Sequence, residues 1–271
     1  MNQDAVGHRV AAAWGGGKCH WRSIPVKRAA VILAAGKGTR MPASEIPKVM
    51  HQVGGKPMVA HVVEAIRRVC DDRIYVVVGY EAEQVVGALR NLAVRFVHQR
   101  EQLGTGHAVI QCEEALKGFS GTVIVLNGDV PCLRSETIEK FAHYHDAEGA
   151  AATVLTAVVE IPTGYGRIVR ASDDSLLGIV EEKDATAEER GIREINSGLF
   201  CFEKEKLFEA LSATDRDNAQ KEYYLTDVIR VLKRRGEPVR AYRVDDPWEV
   251  LGVNTEDELK AVRVYFEGLS Q

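Results

Sequence analysis

The stretch Leu33-Ala34-Ala35-Gly36-Lys37-Gly38-Thr39-Arg40-Met41, followed by Pro47-Lys48, closes an apolar run over residues 29–33 and decides how the chain reads. A short continuous run of Ala, Val, Ile and Leu that stops at glycine marks a strand buried on both faces. Where it stops, the two glycines let backbone come close to a ligand, and successive N–H groups in such a turn form a concave anion site. Lys37, Arg40 and Lys48 add positive charge beside it. The loop therefore suits a polyphosphate. It is not a dinucleotide loop, because Met41 stands where G-x-G-x-x-G needs its third glycine. The spacing G-x-x-x-x-G-K-[ST] of a Walker loop is absent as well.

Composition narrows the partners. A chain of 271 residues that is 45% hydrophobic has enough material for a sizeable core. Its formal net charge of -4 gives no general basic field, so nucleic acid is not an expected partner. No segment reaches the apolar length needed to span a bilayer. The five cysteines are scattered, odd in number and form no C-x-x-C pair, which argues against a disulfide framework or zinc cluster and for a reducing cytoplasm. Residues 1–28 contain Gly15-Gly16-Gly17 and no hydrophobic stretch, so they read as a flexible N-terminal extension rather than a signal peptide. Residues 29–271 remain as one unit.

Within that unit, Val59, Val62, Val63, Ile66 and Val69 recur at helical spacing over 57–70. An apolar run follows at 74–78, then a helical pattern over 81–90, a strand over 94–97, a helix over 104–117 and a buried strand over 122–126. Alternation of this kind predicts an α/β fold with a mostly parallel sheet covered on both faces. After residue 150 the pattern changes. Strands are expected over 151–159, 167–169, 176–180 and 195–202, with a turn at Ser172-Asp173-Asp174-Ser175, which predicts an antiparallel or mixed extension. Helices over 204–211 and 223–235, a strand over 239–244 and a closing helix from Thr255 complete the chain, with Asn254 or Thr255 as the N-cap.

Open α/β sheets bind ligands at loops after the carboxyl ends of parallel strands. Besides the opening loop, two motifs fall there. In Gln99-Arg100-Glu101-Gln102-Leu103-Gly104-Thr105-Gly106-His107-Ala108, the Gln99 amide offers the donor and acceptors that a nucleobase edge requires, while Gly104 and Thr105 open a helix with free N–H groups. His107, inside that helix, reads as structural. In Leu126-Asn127-Gly128-Asp129-Val130-Pro131, an aspartate directly after a buried strand suits Mg²⁺, which takes one or two carboxylates together with phosphate oxygens and water. Each motif has a plainer alternative: a polar loop at a helix start for the first, and an aspartate capping its own turn for the second.

Taken in order, these motifs and five more, Gly164-Tyr165-Gly166-Arg167, Val180-Glu181-Glu182-Lys183, Ile195-Asn196-Ser197-Gly198, Tyr223-Tyr224-Leu225-Thr226-Asp227 and Gly252-Val253-Asn254, resemble the series found in sugar-nucleotide pyrophosphorylases. Within that family the resemblance is to the uridylyltransferase domains of bifunctional enzymes that also transfer acetyl groups, and it runs from about residue 29 to 259. It implies a Rossmann-like nucleotide-diphospho-sugar transferase fold with an antiparallel sugar-binding extension. The activity implied is Mg²⁺-dependent transfer of UMP from UTP to N-acetylglucosamine 1-phosphate, releasing pyrophosphate. Leu33, Ala34, Ala35 and Gly36 would meet the uridine and phosphates, Gln99 and Gly104 the uracil, and Thr105 the sugar-facing side. Asn127 and Gly128 would border the substrates, Gly166, Glu181 and Asn196 would bind the N-acetylglucosamine, Asp129 and Asn254 would hold the metal, and Arg40 and Lys48 would stabilise the phosphates. Tyr223 to Asp227 reads instead as a helix start that packs and caps.

Three departures accompany the resemblance. The sequence stops at Gln271 without the hexapeptide repeats of a left-handed β-helix, so neither acetyl transfer nor the trimer built by that helix is expected. Asn127 stands where an aromatic often precedes Gly-Asp, and residues 42–46 are slightly longer than in some relatives, which alters the approach of Lys48. A pyrophosphorylase for another sugar 1-phosphate or nucleotide, such as glucose 1-phosphate, and a non-catalytic regulatory module on the same fold remain the alternatives.

Overall fold

The computed structural model describes residues 26–38, 46–70 and 72–269. The expected extension over 1–28 therefore falls almost entirely outside the described residues, and so do Arg40 and residues 42–45.

Strand β1 (Arg28–Ala34) is the middle of the molecule. Side chains alternate across a strand, and here Ala30, Ile32 and Ala34 enter one apolar core while Ala29 and Val31 enter the other. After a short hairpin, β2 (Gln52–Val53) with β3 (Lys56–Pro57), come α1 (Met58–Ile66), β4 (Ile74–Val78), α2 (Ala82–Leu89), β5 (Arg95–His98), α3 (Thr105–Ile110) and β6 (Thr122–Asn127). Strand β1 pairs in parallel with β4 and β6, and β4 with β5. On one face α1 sets Val59, Val62, Val63 and Ile66 against the sheet, the residues whose spacing predicted that helix.

The second half adds α4 (Ser135–Ala147), β7 (Ala152–Val158), β8 (Gly166–Arg170), β9 (Leu176–Val180), α5 (Ala187–Arg190), β10 (Glu194–Glu203), α6 (Lys204–Leu211), α7 (Asp227–Arg234), β11 (Val239–Arg243) and α8 (Glu256–Leu269). Strand order across the main sheet is β11-β7-β10-β6-β1-β4-β5, with β8 and β9 branching from β10. Strand β10 is antiparallel to both β6 and β7. Its register shifts between Asn196 and Phe200, so that Phe200 to Glu203 pair with β6 while Ile195 and Asn196 pair with β8. One ten-residue strand thus joins the parallel half to the antiparallel extension.

Several expected boundaries shift. The helix expected over 104–117 is α3 plus a separate 3-10 turn at Glu114–Leu116. The helix expected from residue 223 begins at Asp227, because the preceding residues are held as a loop against α3, as described below. At the closing helix the hydroxyl of Thr255 accepts from the Glu258 N–H at 3.2 Å, and the Glu258 carboxylate accepts from the Thr255 N–H at 2.9 Å. This reciprocal pair is a capping box, and it makes Thr255 the cap and frees the side chain of Asn254. Among the described residues no helix is long and apolar enough to cross a membrane.

Candidate active site

Two cavities, of about 380 Å³ and about 290 Å³, open along the carboxyl ends of β1, β5 and β6 and continue over β8 to β10. Leu33, Lys48, Thr105, Asn127 and Asp129 line both, so they form one cleft with a shared middle. The larger part is walled by Ala34, Ala35, Gly36, Lys37, Gly38, Gln99 and Gly104. The smaller is walled by Gly166, Glu181, Asn196 and Asn254, with Tyr165, Gly198, Leu225, Thr226 and Gly252. Of the residues expected at the site, Gly128 alone among those described lies behind the cleft. Its N–H donates to the Leu33 carbonyl at 2.9 Å and it packs on Val49 and Val59, closing β6 against β1.

At the shared middle, Lys48 leaves the 3-10 turn Lys48–Met50. Its ammonium donates to Asp129 Oδ2 and, at 2.9 Å, to Asn254 Oδ1. Gly38, at φ +64, packs directly on the Lys48 stem, and a Cβ there would stand 2.7 Å from the Lys48 Cβ. The Val253 N–H donates to the Asp129 carbonyl at 3.0 Å, which ties the Gly252-Val253-Asn254 turn to the end of β6. Asp129 is 8% exposed, and its Oδ1 is buried with no hydrogen-bond partner among the described residues. An unpartnered carboxylate oxygen is costly to bury, and this atom is one that could hold a cation or accept from a ligand.

The larger part is ordered by the loop before α3. Gly104 has φ +110 and ψ 175, a region open in practice to glycine alone. A Cβ on it would meet the Tyr223 carbonyl, which accepts from the Gly106 N–H at 2.8 Å. The Tyr223 N–H donates to the Leu103 carbonyl and the Leu225 N–H to the Thr105 hydroxyl at 3.1 Å. Residues 223–225 are thereby clasped to the start of α3, so part of the segment read as a packing helix start forms a wall of the cleft. The buried Gln99 amide nitrogen donates to the Gly104 carbonyl at 3.1 Å and lies 3.1 Å from His107 Nδ1.

On the other side, Glu181 at the end of β9 accepts from the Thr226 hydroxyl at 2.9 Å. Burial pushes its carboxyl above the usual range, opposed by the Thr226 hydrogen bond and reinforced by Asp184, Asp227 and Glu222. Asn196 spends its Oδ1 on the Gly198 N–H at 2.9 Å, which leaves its Nδ2 as the group offered to the cleft. Arg167, fully buried, pairs with Glu182 at 2.8 Å and donates to the Tyr165 carbonyl, which fixes the backbone on either side of Gly166. The sequence reading missed Gln102 and Glu222, which line the cleft, and the Thr226 hydroxyl; no local pattern distinguishes them from ordinary loop polars.

The architecture is that of the Rossmann-like sugar-nucleotide transferases. It superposes at TM-score 0.71 on a putative glucose-1-phosphate thymidylyltransferase from Bacillus anthracis in complex with sucrose, with 20% identity over 88% of this chain and 95% of the other. A UDP-glucose pyrophosphorylase complexed with UDP-glucose gives TM-score 0.70 and 22% identity over 90% of this chain and 99% of the other. Residues 30–225 match the family model described as the MobA-like NTP transferase domain, and the chain belongs to that family of nucleotidyltransferases. Among curated relatives, the bifunctional protein GlmU of Enterococcus faecalis is 49% identical over 227 residues, 84% of this chain and 49% of the relative. Its counterpart in Halalkalibacterium halodurans is 52% identical over 227 residues, 84% of this chain and 50% of the relative. The chain spans about half the length of the curated relatives it matches.

Proposed function

We propose that residues 29–271 form a nucleotidyltransferase unit that transfers UMP from UTP to N-acetylglucosamine 1-phosphate, giving UDP-N-acetylglucosamine and pyrophosphate. The observation that carries this reading is the meeting of Lys48, Asp129 and Asn254 where the two halves of the cleft join. A nucleotide in the larger half and a sugar phosphate in the smaller would bring their phosphates together there.

Asp129 and Asn254 fit a divalent cation. Asp129 Oδ1 is buried without a partner among the described residues, Asn254 presents its Oδ1 to the same point, and Lys48 bridges the two. Among the described residues no three His, Cys, Asp or Glu gather into a metal cage, and the donor set of one carboxylate and one amide matches Mg²⁺, which draws its other ligands from phosphate and water. When bound, Mg²⁺ would act as a Lewis acid on the phosphate oxygens.

The chain's own residues have a defined task. The sugar phosphate is already an anion, so its oxygen attacks the α-phosphorus without a protein nucleophile, forming one P–O bond as the bond to the departing pyrophosphate breaks. What the protein supplies is alignment and charge. Lys48 neutralises charge at the reacting phosphate, the family resemblance assigns Arg40 the same task, and the amides of Ala35 and Gly36 hold the remaining phosphates. The Gln99 amide reads the base; Glu181 accepts from sugar hydroxyls and Asn196 donates to the sugar. Pyrophosphate release measured over a panel of four nucleoside triphosphates and several sugar 1-phosphates tests the proposal: the pair UTP and N-acetylglucosamine 1-phosphate is expected to be the best. Preference for glucose 1-phosphate would overturn the sugar assignment, and UTP binding without turnover of any pair would overturn the enzymatic one.

A further inference from the structure

We propose that His107 is a positioning residue that sets the base preference of the cleft, by holding the Gln99 amide with its oxygen toward the base. The proposal rests on Gln99 as the base-reading side chain and adds what decides which end of that amide is shown.

Gln99 is 4% exposed. Its Nε2 has two neighbours, the Gly104 carbonyl at 3.1 Å and His107 Nδ1 at 3.1 Å. A carbonyl only accepts, so the amide nitrogen must lie on that side, and both its hydrogens are taken if His107 Nδ1 is bare. The ring proton then sits on Nε2. On the far side of the ring the Gln111 amide nitrogen lies 3.2 Å from His107 Nε2 and 3.2 Å from the His107 carbonyl. Two amide groups thus flank the ring, and an imidazole with one N–H has one acceptor nitrogen. Gln99 takes it, because Gln99 is buried while Gln111 is half-exposed and can turn its amide into solvent. The opposite tautomer would press an N–H against the Gln99 amide and turn its oxygen onto the Gly104 carbonyl. Stacking on Tyr223, with ring centroids 6.3 Å apart, backs the imidazole.

Gln99 Oε1 consequently makes no hydrogen bond among the described residues and is the end left for the ligand. An oxygen there accepts from a ring N–H, which uracil carries at N3. Cytosine presents a lone pair at N3 and is repelled. Selectivity for uracil over cytosine is therefore held by a residue that does not touch the base.

The test is the ratio of kcat/KM for UTP to that for CTP, with one sugar 1-phosphate, in wild type, His107→Leu, His107→Asn and Gln99→Leu. His107→Leu removes the acceptor and is expected to lower the ratio about tenfold, mainly through KM. His107→Asn restores an acceptor oxygen and is expected to stay within about threefold of wild type. Gln99→Leu should also collapse the ratio. If it does and His107→Leu loses both activities equally, the positioning role is overturned and the base reading stands; if Gln99→Leu leaves the ratio unchanged, the base reading falls and this proposal with it. Two-bond ¹H–¹⁵N correlation on wild-type protein gives the tautomer directly: a proton on Nε2 is expected, and one on Nδ1 overturns the proposal even if the variants do not fold.

Discussion

Under the proposed function, Lys48→Ala separates two jobs of one ammonium. Lys48 donates to Asp129, whose Oδ1 has no partner among the described residues. Hydrogen bonds to charged groups are worth about 1.5–3 kcal/mol, and the 17% and 12% exposure of the two side chains reduces this to about 1–2 kcal/mol. For a chain of this size each kcal/mol moves the melting temperature by about 2–4 °C, so the variant should melt about 2–8 °C below wild type. In the reaction the loss is larger, about 10²–10³ in kcat, as for removal of one preorganised charge-stabilising group. The two effects part on addition of Mg²⁺ without nucleotide. With the lysine gone, Asp129 and Asn254 face the cation without a competitor, so Mg²⁺ should raise the melting temperature of the variant more than that of wild type, while turnover stays low. Thermal melts with and without Mg²⁺, paired with steady-state pyrophosphate release, read both quantities. Wild-type turnover in purified Lys48→Ala would refute the catalytic role, and a wild-type melting temperature insensitive to Mg²⁺ would refute the ion-pair account.

Asp129→Ala should abolish Mg²⁺-dependent turnover; a Mg²⁺ titration superimposable on wild type sinks the metal assignment. Burial holds the Glu181 carboxyl above its ordinary range, with Asp184, Asp227 and Glu222 adding to the effect, so the stability it contributes is present below the unfolded value and is lost as pH rises through the folded one. Glu181→Gln should accordingly melt higher than wild type at pH 8 while its KM for the sugar phosphate rises, and a lower melting temperature at pH 8 would count against the buried charge. In Gly104→Ala the backbone at φ +110 and the Tyr223 carbonyl both oppose the methyl group; strain of this kind costs about 1–3 kcal/mol. A lower melting temperature together with weaker UTP binding is expected, measured by thermal melts and calorimetry, and an unchanged UTP affinity would mean that the clasp does not shape the nucleotide half.

What could be read from the chain followed the physics of burial. Strand β1 stands out because both faces are buried, giving an unbroken apolar run, and α1 because Val59, Val62, Val63 and Ile66 share one face. Helix α4 escaped because its thirteen residues, Ser135 to Ala147, bury little beyond Ile138, Phe141, Ala142 and His145 among polar neighbours. Helix α5 is one turn long and buries none of its residues, so only the capping box at Thr186 and Glu189 betrays it. In the site, Lys48, Asp129 and Asn254 were each singled out, yet their convergence spans 81 and 206 positions and is set by the return of the chain after β11 rather than by any local spacing. The choice between Asn254 and Thr255 as helix cap needed Glu258, which takes both backbone amides and leaves the Asn254 side chain to Lys48. His107 looked structural because helix position says nothing about what a ring nitrogen faces.

Strand β10 has a mechanical consequence. It is hydrogen-bonded to β6 through Phe200 to Glu203 and to β8 through Ile195 and Asn196, so the floors beneath the two halves of the cleft belong to one covalent strand. The spacing between the halves is tied to the few residues of backbone that lie between Asn196 and Phe200 on that strand. Under the proposed function, a bulkier sugar would be accommodated through substitutions in the walls, around Tyr165, Leu225 and Gly252, rather than through a change in the span along that strand.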